Sequence, residues 1–181
     1  MNIPNLITLL RIILVPVIVI LLIQGSFFKA LILFIVAGLS DALDGFLARV
    51  LKQQTVLGAY LDPIADKALL ASSFVTLSVL HIIPSWLSVI VISRDFIILL
   101  GISVLSILSI TVEIRPTFVS KVTTGLQLIT VLLALSVRCL PFGFNEIWLL
   151  ALYWITAFFT ILSGLNYMLR GMELINHDTQ K

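Results

Sequence analysis

The chain has 181 residues, 60% of them hydrophobic and only 11% charged, with a formal net charge of +2. A soluble domain carries about a quarter charged residues, so a water-soluble globular fold is excluded and no nucleic-acid partner is expected. One cysteine and two histidines exclude a disulfide framework, a thiolate metal cage and imidazole metal chemistry.

Six apolar stretches, about 6–23, 27–51, 60–82, 85–108, 118–137 and 146–169, follow one another with short connections. Each is near the 20 residues or so that a helix needs to cross a bilayer. The prediction is an all-α integral membrane protein: a six-transmembrane-helix bundle, one domain over 1–181, with no separate soluble domain.

In chain order, Asn2-Ile3-Pro4-Asn5 reads as a helix start set by Pro4 or Asn5. The stretch does not read as a signal peptide: it lacks a basic n-region, Arg11 interrupts the apolar run, and no small-residue cleavage site follows. It is not an Arg- and Ser-rich import presequence either, which points to a bacterial cytoplasmic membrane. Arg11 reads as a snorkelling side chain, and Pro16 as a proline that a lipid-embedded helix tolerates. The second span ends in Asp41-Ala42-Leu43-Asp44-Gly45-Phe46-Leu47-Ala48-Arg49. Gln53, Gln54 and Thr55 form a polar turn that Gly58 ends, and the third span carries Asp62 and Asp66 near its beginning. Pro84 and Ser85 separate it from the fourth, which holds Arg94 and Asp95. Residues 109–117, with Glu113, Arg115 and Pro116, form the longest polar connection. Cys139 is a small residue near the end of the fifth span, and Pro141-Phe142-Gly143 precedes the sixth. Trp86, Trp148, Tyr153 and Tyr167 read as interfacial anchors, and Gly38 and Gly164 as points of close helix packing.

Charge sets the orientation. With six spans, one side collects Arg11, Arg49, Lys52, Arg115, Lys121, Arg170 and Lys181, while the other has Lys29 and Arg138. The positive-inside tendency then puts both termini in the cytoplasm and brings Asp41, Asp44, Asp62 and Asp66 to one level on the cytoplasmic face.

Ionised carboxylates in lipid cost roughly 2.5 kcal/mol or more each on insertion scales. Four of them exceed the two bases close in sequence, Arg49 and Lys67, so ion pairing alone does not account for them. Asp41 and Asp44 are three residues apart, and Asp62 and Asp66 four, so each pair shares a helix face. Hard oxygen donors without His or Cys suit Mg²⁺ or Mn²⁺ rather than zinc. Two such ions can clamp the attacking and leaving oxygens of a displacement at phosphorus. Gly45 and Ala48 keep one helix face narrow where a bulky ligand approaches, Arg49 offers a guanidinium fork to phosphate, and Gly58 keeps the cleft open. Acids on a membrane helix also suit a divalent-cation or proton transporter, but such proteins spread them over several depths. A non-enzymatic lipid-binding protein is a third reading.

The segment from Asp41 to Asp66 resembles the signature of the CDP-alcohol phosphatidyltransferase family. Asp41, Asp44, Gly45, Ala48, Arg49, Gly58, Asp62 and Asp66 match its eight specified positions with unbroken spacing. The resemblance implies six membrane helices, a possible homodimer, and transfer of a phosphatidyl group from CDP-diacylglycerol to an acceptor hydroxyl with release of CMP. It implies that the four aspartates hold two divalent cations, that Asp66 is also the base for the acceptor hydroxyl, and that Gly45, Ala48, Arg49 and Gly58 line the CDP-lipid site, Arg49 at the diphosphate.

The stretch Asn2 to Arg11 is similar to the start of both phosphatidylglycerophosphate synthases and CDP-diacylglycerol-dependent cardiolipin synthases. Ile92-Ser93-Arg94-Asp95 and the run from Ile114 to Val122 resemble the cardiolipin synthase type more. Phosphatidylglycerophosphate synthases tend to carry a glutamate where Asp95 stands and a second arginine about eight positions after Arg94, where this chain has no base. The acceptor implied is phosphatidylglycerol, giving cardiolipin; glycerol 3-phosphate is the alternative. Arg94, Arg115 and Lys121 are the candidates for the acceptor's phosphate. Arg94 leads because a base within a span needs a partner; Asp95 is the nearest acid.

Overall fold

A computed structural model describes residues 3–50, 56–107, 118–139 and 146–178, with side chains described at 8–40, 64–101, 118–139 and 147–172. Six helices follow in order: α1 (Ile3–Ile23), α2 (Phe27–Val50), α3 (Val56–Val79), α4 (Ser85–Ile107), α5 (Phe118–Cys139) and α6 (Glu146–Asp178). No strand occurs among the described residues. Helix order agrees with the hydropathy reading; several boundaries do not. α1 takes in Pro4 near its first residue, where a missing N–H has no intrahelical partner to lose. α3 starts at Val56, four residues before Tyr60, so Gly58 lies in its first turn and does not end the connection. α6 runs nine residues past Leu169, because polar residues continue the backbone hydrogen bonding that an apolar window stops reading. Among the described residues, two helical segments, Phe118–Cys139 and Ile147–Met172, are long and apolar enough to cross a membrane; Thr8–Ile23 and Phe27–Ser40 are shorter apolar helices.

Two turns close in the same way. After α1, Gly25 sits at φ 71°, its N–H donating to the Leu22 carbonyl while that of Ser26 donates to Leu21. After α3, His81 sits at φ 56°, its N–H donating to Ser78 while that of Ile82 donates to Leu77. Both are Schellman caps, which satisfy the last carbonyls of a helix through one left-handed residue. Glycine is the residue with no steric penalty there; histidine carries one.

The chain divides into two compact units: Met1–Ser85 with Val131–Phe144, and Trp86–Thr130 with Asn145–Lys181. In the first, α1 packs against both α2 and α3. Ile18 and Leu22 of α1, Ala30, Phe34 and Ala37 of α2, and Ala65, Phe74 and Leu77 of α3 are buried. The alanines leave room for close helix approach. At Gly38 no described atom lies within 4 Å of where a Cβ would stand. In the second unit, Leu87, Val91 and Ile98 of α4 and Tyr153 and Ala157 of α6 are buried. Tyr153 is therefore a core residue and not an interfacial anchor. Trp86 packs on Trp154 with ring centroids 4.9 Å apart.

Polarity runs inside out. Ile13, Ile20, Phe28, Leu39, Trp148 and Phe158 are exposed, whereas Thr8, Arg11, Ser73, Gln127, Thr156 and Ser163 are buried. Buried hydroxyls mostly donate to the carbonyl one turn back on their own helix, as Ser73 does to Leu69 at 2.7 Å and Thr160 to Thr156 at 2.6 Å, which satisfies them without water. Between α5 and α6 the polar residues form a seam. Thr123 donates to the Phe159 carbonyl at 3.0 Å, Gln127 to Thr160 Oγ1 at 3.4 Å, and Thr130 and Thr156 share a bond of 2.8 Å.

Candidate active site

Asp41, Asp44, Gly45, Ala48 and Arg49 all lie on α2, and Gly58, Asp62 and Asp66 on α3. Helical rise separates Asp41 from Asp44 by about 4.5 Å along the axis, and Asp62 from Asp66 by about 6 Å. The side chains of Asp41, Asp44, Gly45, Ala48, Arg49, Gly58 and Asp62, and the whole of Arg115, lie outside the described residues.

Asp66 is the described member of the set, and its partner is unexpected. Arg11 Nη1 donates to Asp66 Oδ1 at 2.6 Å, across 55 residues of sequence. The Arg11 side chain is 0% exposed and that of Asp66 39%. This overturns the snorkelling reading of Arg11: it is the largest fully buried side chain described, and its guanidinium turns inward from α1 to meet α3. Burying a guanidinium is tolerable only beside a carboxylate, whereas snorkelling requires an unobstructed path to water. Asp66 therefore combines a fixed cation on one side with solvent access on the other. Among the described residues no three acidic, His or Cys side chains gather around a metal position; of the four aspartates only Asp66 belongs to that set. On donor chemistry the residues fit a divalent cation: a part-exposed carboxylate oxygen ligand is present, on a helix whose preceding turn carries another aspartate.

In the second unit, Arg94 is the centre of a closed cluster. Nη1 donates to Asp95 Oδ1 at 2.7 Å, and Nη2 to Ser120 Oγ at 2.7 Å and Ser163 Oγ at 2.8 Å. Its guanidinium carbon lies 5.8 Å from the Tyr167 ring centroid, within range of a cation–π contact. The side chains of Arg94 and Asp95 are 7% and 15% exposed. Gly164 faces the Arg94 stem, with the position of an added Cβ 3.5 Å from Arg94 Cγ; the close packing expected there is with this side chain. Arg94 thus joins α4 to α5 and α6. Lys121 is exposed and follows Ser120 in α5. Ser120 lies in the run from Ile114 to Val122, whereas Ser163 and Tyr167 escape a motif reading. The helical spacing of Thr156, Thr160, Ser163 and Tyr167 along α6 is the signal that points to them.

A family profile described as CDP-alcohol phosphatidyltransferase matches residues 1–162. The chain belongs to the CDP-alcohol phosphatidyltransferase family. It is 35% identical over 190 residues to a cardiolipin synthase (CMP-forming) of Homo sapiens, an alignment covering 96% of this chain and 63% of that protein. It is 32% identical over 191 residues to a CDP-diacylglycerol--glycerol-3-phosphate 3-phosphatidyltransferase of Bacillus subtilis (strain 168), covering 96% of this chain and 97% of that protein. A protein with the same description from Haemophilus influenzae is 45% identical over 103 residues, covering 54% of this chain and 55% of its own length. The chain thus spans less than two thirds of the human relative's length. These relatives carry two different descriptions, one naming the product cardiolipin and the other the acceptor glycerol 3-phosphate, and family membership does not choose between them. It does favour group transfer at phosphorus over ion transport.

Proposed function

We propose that this chain transfers a phosphatidyl group from CDP-diacylglycerol to phosphatidylglycerol, forming cardiolipin and releasing CMP at a membrane. The observation that carries the reading is the eight-position pattern from Asp41 to Asp66, unbroken on the consecutive helices α2 and α3. Both helices pack on α1, which supplies the partner of Asp66. All six helices then cross the bilayer, with both termini and the site facing the cytoplasm of a bacterium. The inside-out polarity and the charge asymmetry of the connections support this, since lipid is the solvent that accepts an apolar exterior.

The acceptor hydroxyl oxygen attacks the phosphorus bearing the diacylglycerol, the bond from that phosphorus to the CMP oxygen breaks, and the hydroxyl proton passes to Asp66. Concerted proton transfer relaxes the basicity required of a carboxylate. Two divalent cations, Mg²⁺ or Mn²⁺, held by Asp41, Asp44, Asp62 and Asp66 would neutralise the diphosphate and the departing CMP. Gly45, Ala48 and Gly58 leave space for the CDP-lipid, and Arg49 pairs with its diphosphate. Arg94, with Arg115 and Lys121, orients the acceptor's phosphate. Arg94 would do so through its charge and not by open contact, because its guanidinium is enclosed and bonded to Asp95, Ser120 and Ser163. The functional unit is a homodimer.

A second reading takes glycerol 3-phosphate as acceptor. The observation favouring it is the Bacillus subtilis relative, which the alignment covers almost end to end. Purified protein with CDP-diacylglycerol, Mg²⁺ and each alcohol in turn separates the two. Cardiolipin is the expected product with phosphatidylglycerol; equal CMP release with and without any alcohol would defeat both acceptors.

A further inference from the structure

We infer that Arg11 is a positioning residue for Asp66 and supplies the positive charge that neutralises the loaded acidic site. The inference rests on the transferase reading and extends it to a helix outside the signature. Three observations support it. The Arg11–Asp66 contact is 2.6 Å, which places a guanidinium nitrogen directly against the carboxylate as a charge-assisted hydrogen bond. The Arg11 side chain is fully enclosed, on the buried face of α1 shared with Thr8, Ile18 and Leu22, so packing fixes the direction from which its planar fork approaches. Asp66 keeps part of its surface open, so the carboxylate is held without being sealed off.

Charge gives the second role. By motif, Asp41, Asp44, Asp62 and Asp66 bring four negative charges and Arg49 one positive charge. Two divalent cations and a diphosphate diester, about two negative charges, would leave a single negative charge. Arg11 cancels it. Lys67, next in sequence to Asp66, is half-buried and engaged in an interaction of its own.

A part that only held the fold together would behave differently on removal. Without Arg11 the Asp66 carboxylate turns more freely, and second-shell losses of this kind typically cost about 10–100-fold in activity or metal affinity. The acidic cluster also gains one net negative charge, which favours cations. Turnover and cation binding therefore move apart.

The test uses the full chain in detergent micelles with Mn²⁺ as probe. Free Mn²⁺ is read by electron paramagnetic resonance and kcat by CMP release, for the wild type, Arg11→Gln, Arg11→Lys and Asp66→Asn. Arg11→Gln is expected to lower kcat at least tenfold with Mn²⁺ affinity unchanged or tighter, and Arg11→Lys to recover part of the loss. Turnover of Arg11→Gln within threefold of wild type, or Mn²⁺ binding weakened more than threefold, overturns the inference. If Arg11→Gln does not survive extraction, Arg11→Lys decides, because the fork predicts a kcat loss of at least threefold and wild-type turnover contradicts it. A wild type that binds Mn²⁺ but turns over no acceptor defeats the transferase reading. The Mn²⁺ affinity of Arg11→Gln then still tests the charge role.

Discussion

Replacing Arg94 with methionine removes a buried cation while keeping much of its stem volume. The change deletes the 2.7 Å pair with Asp95, the bonds to Ser120 and Ser163, and the cation–π contact with Tyr167. Breaking a buried pair by removing one partner costs about 3–5 kcal/mol. Both side chains are nearly enclosed, so water compensates the loss poorly. At about 2–4 °C per kcal/mol for a chain of this size, Arg94→Met should lower Tm by roughly 6–20 °C. Thermal denaturation in detergent, followed by fluorescence-detected size exclusion, measures it. Ser163→Ala removes one acceptor and should cost about 1–2 kcal/mol. The double variant should lose little beyond Arg94→Met, because the serine bond disappears with the guanidinium. A Tm for Arg94→Met within 2 °C of wild type would refute the view that Arg94 ties α4 to α5 and α6.

Gly164→Ala should leave Tm unchanged or slightly raised: the new Cβ would meet Arg94 Cγ at an ordinary contact of 3.5 Å, and alanine favours a helix interior by about 0.5–1 kcal/mol. Gly164→Leu should lower Tm, because its outer carbons displace the Arg94 stem. His81→Gly should stabilise by about 1 kcal/mol, by releasing the left-handed strain at φ 56°, read as a small rise in Tm. Chelation with EDTA should reduce CMP release to background and added Mg²⁺ restore it, while Asp66→Asn should be nearly inactive at any Mg²⁺ concentration and lower in Tm than wild type, because buried Arg11 loses its counter-charge. Full activity after chelation would remove the metal reading.

Helix number and order are legible because an apolar run of about 20 residues has one low-energy answer in lipid. Boundaries are less legible because hydropathy reports the solvent around a helix, whereas helix ends follow hydrogen bonding and caps. Val56 to Tyr60 and the nine residues after Leu169 continue helices that a hydropathy window closes. The Arg94–Asp95 pair is visible as adjacent charges, although neighbouring helix positions diverge; the long arginine stem lets the guanidinium fold back. Arg11 with Asp66 is not legible from spacing, since 55 residues separate them and only the packing of α1 on α3 brings them together. The usable signal is weaker: an arginine deep in an apolar run needs an anion, wherever it lies in the sequence.

The two buried arginines make nearly the same contact, at 2.6 Å to Asp66 and 2.7 Å to Asp95. Neither arginine is accessible, so the guanidinium does not distinguish them. The carboxylates do: Asp66 retains 39% of its side-chain exposure and Asp95 15%. A sealed carboxylate paired with an arginine neutralises a charge and orients three helices, but offers little surface to an incoming ligand. A carboxylate held by an arginine and still part-exposed has a set direction and a reachable surface together, the conditions that a metal ligand or proton acceptor requires. In an apolar chain where every buried charge needs a counter-charge, accessibility of the anion separates a reactive position from a structural one. By that criterion Asp66 is the carboxylate that we propose as reactive, and the enclosed Arg94–Asp95 pair is the tie that joins α4 to α5 and α6.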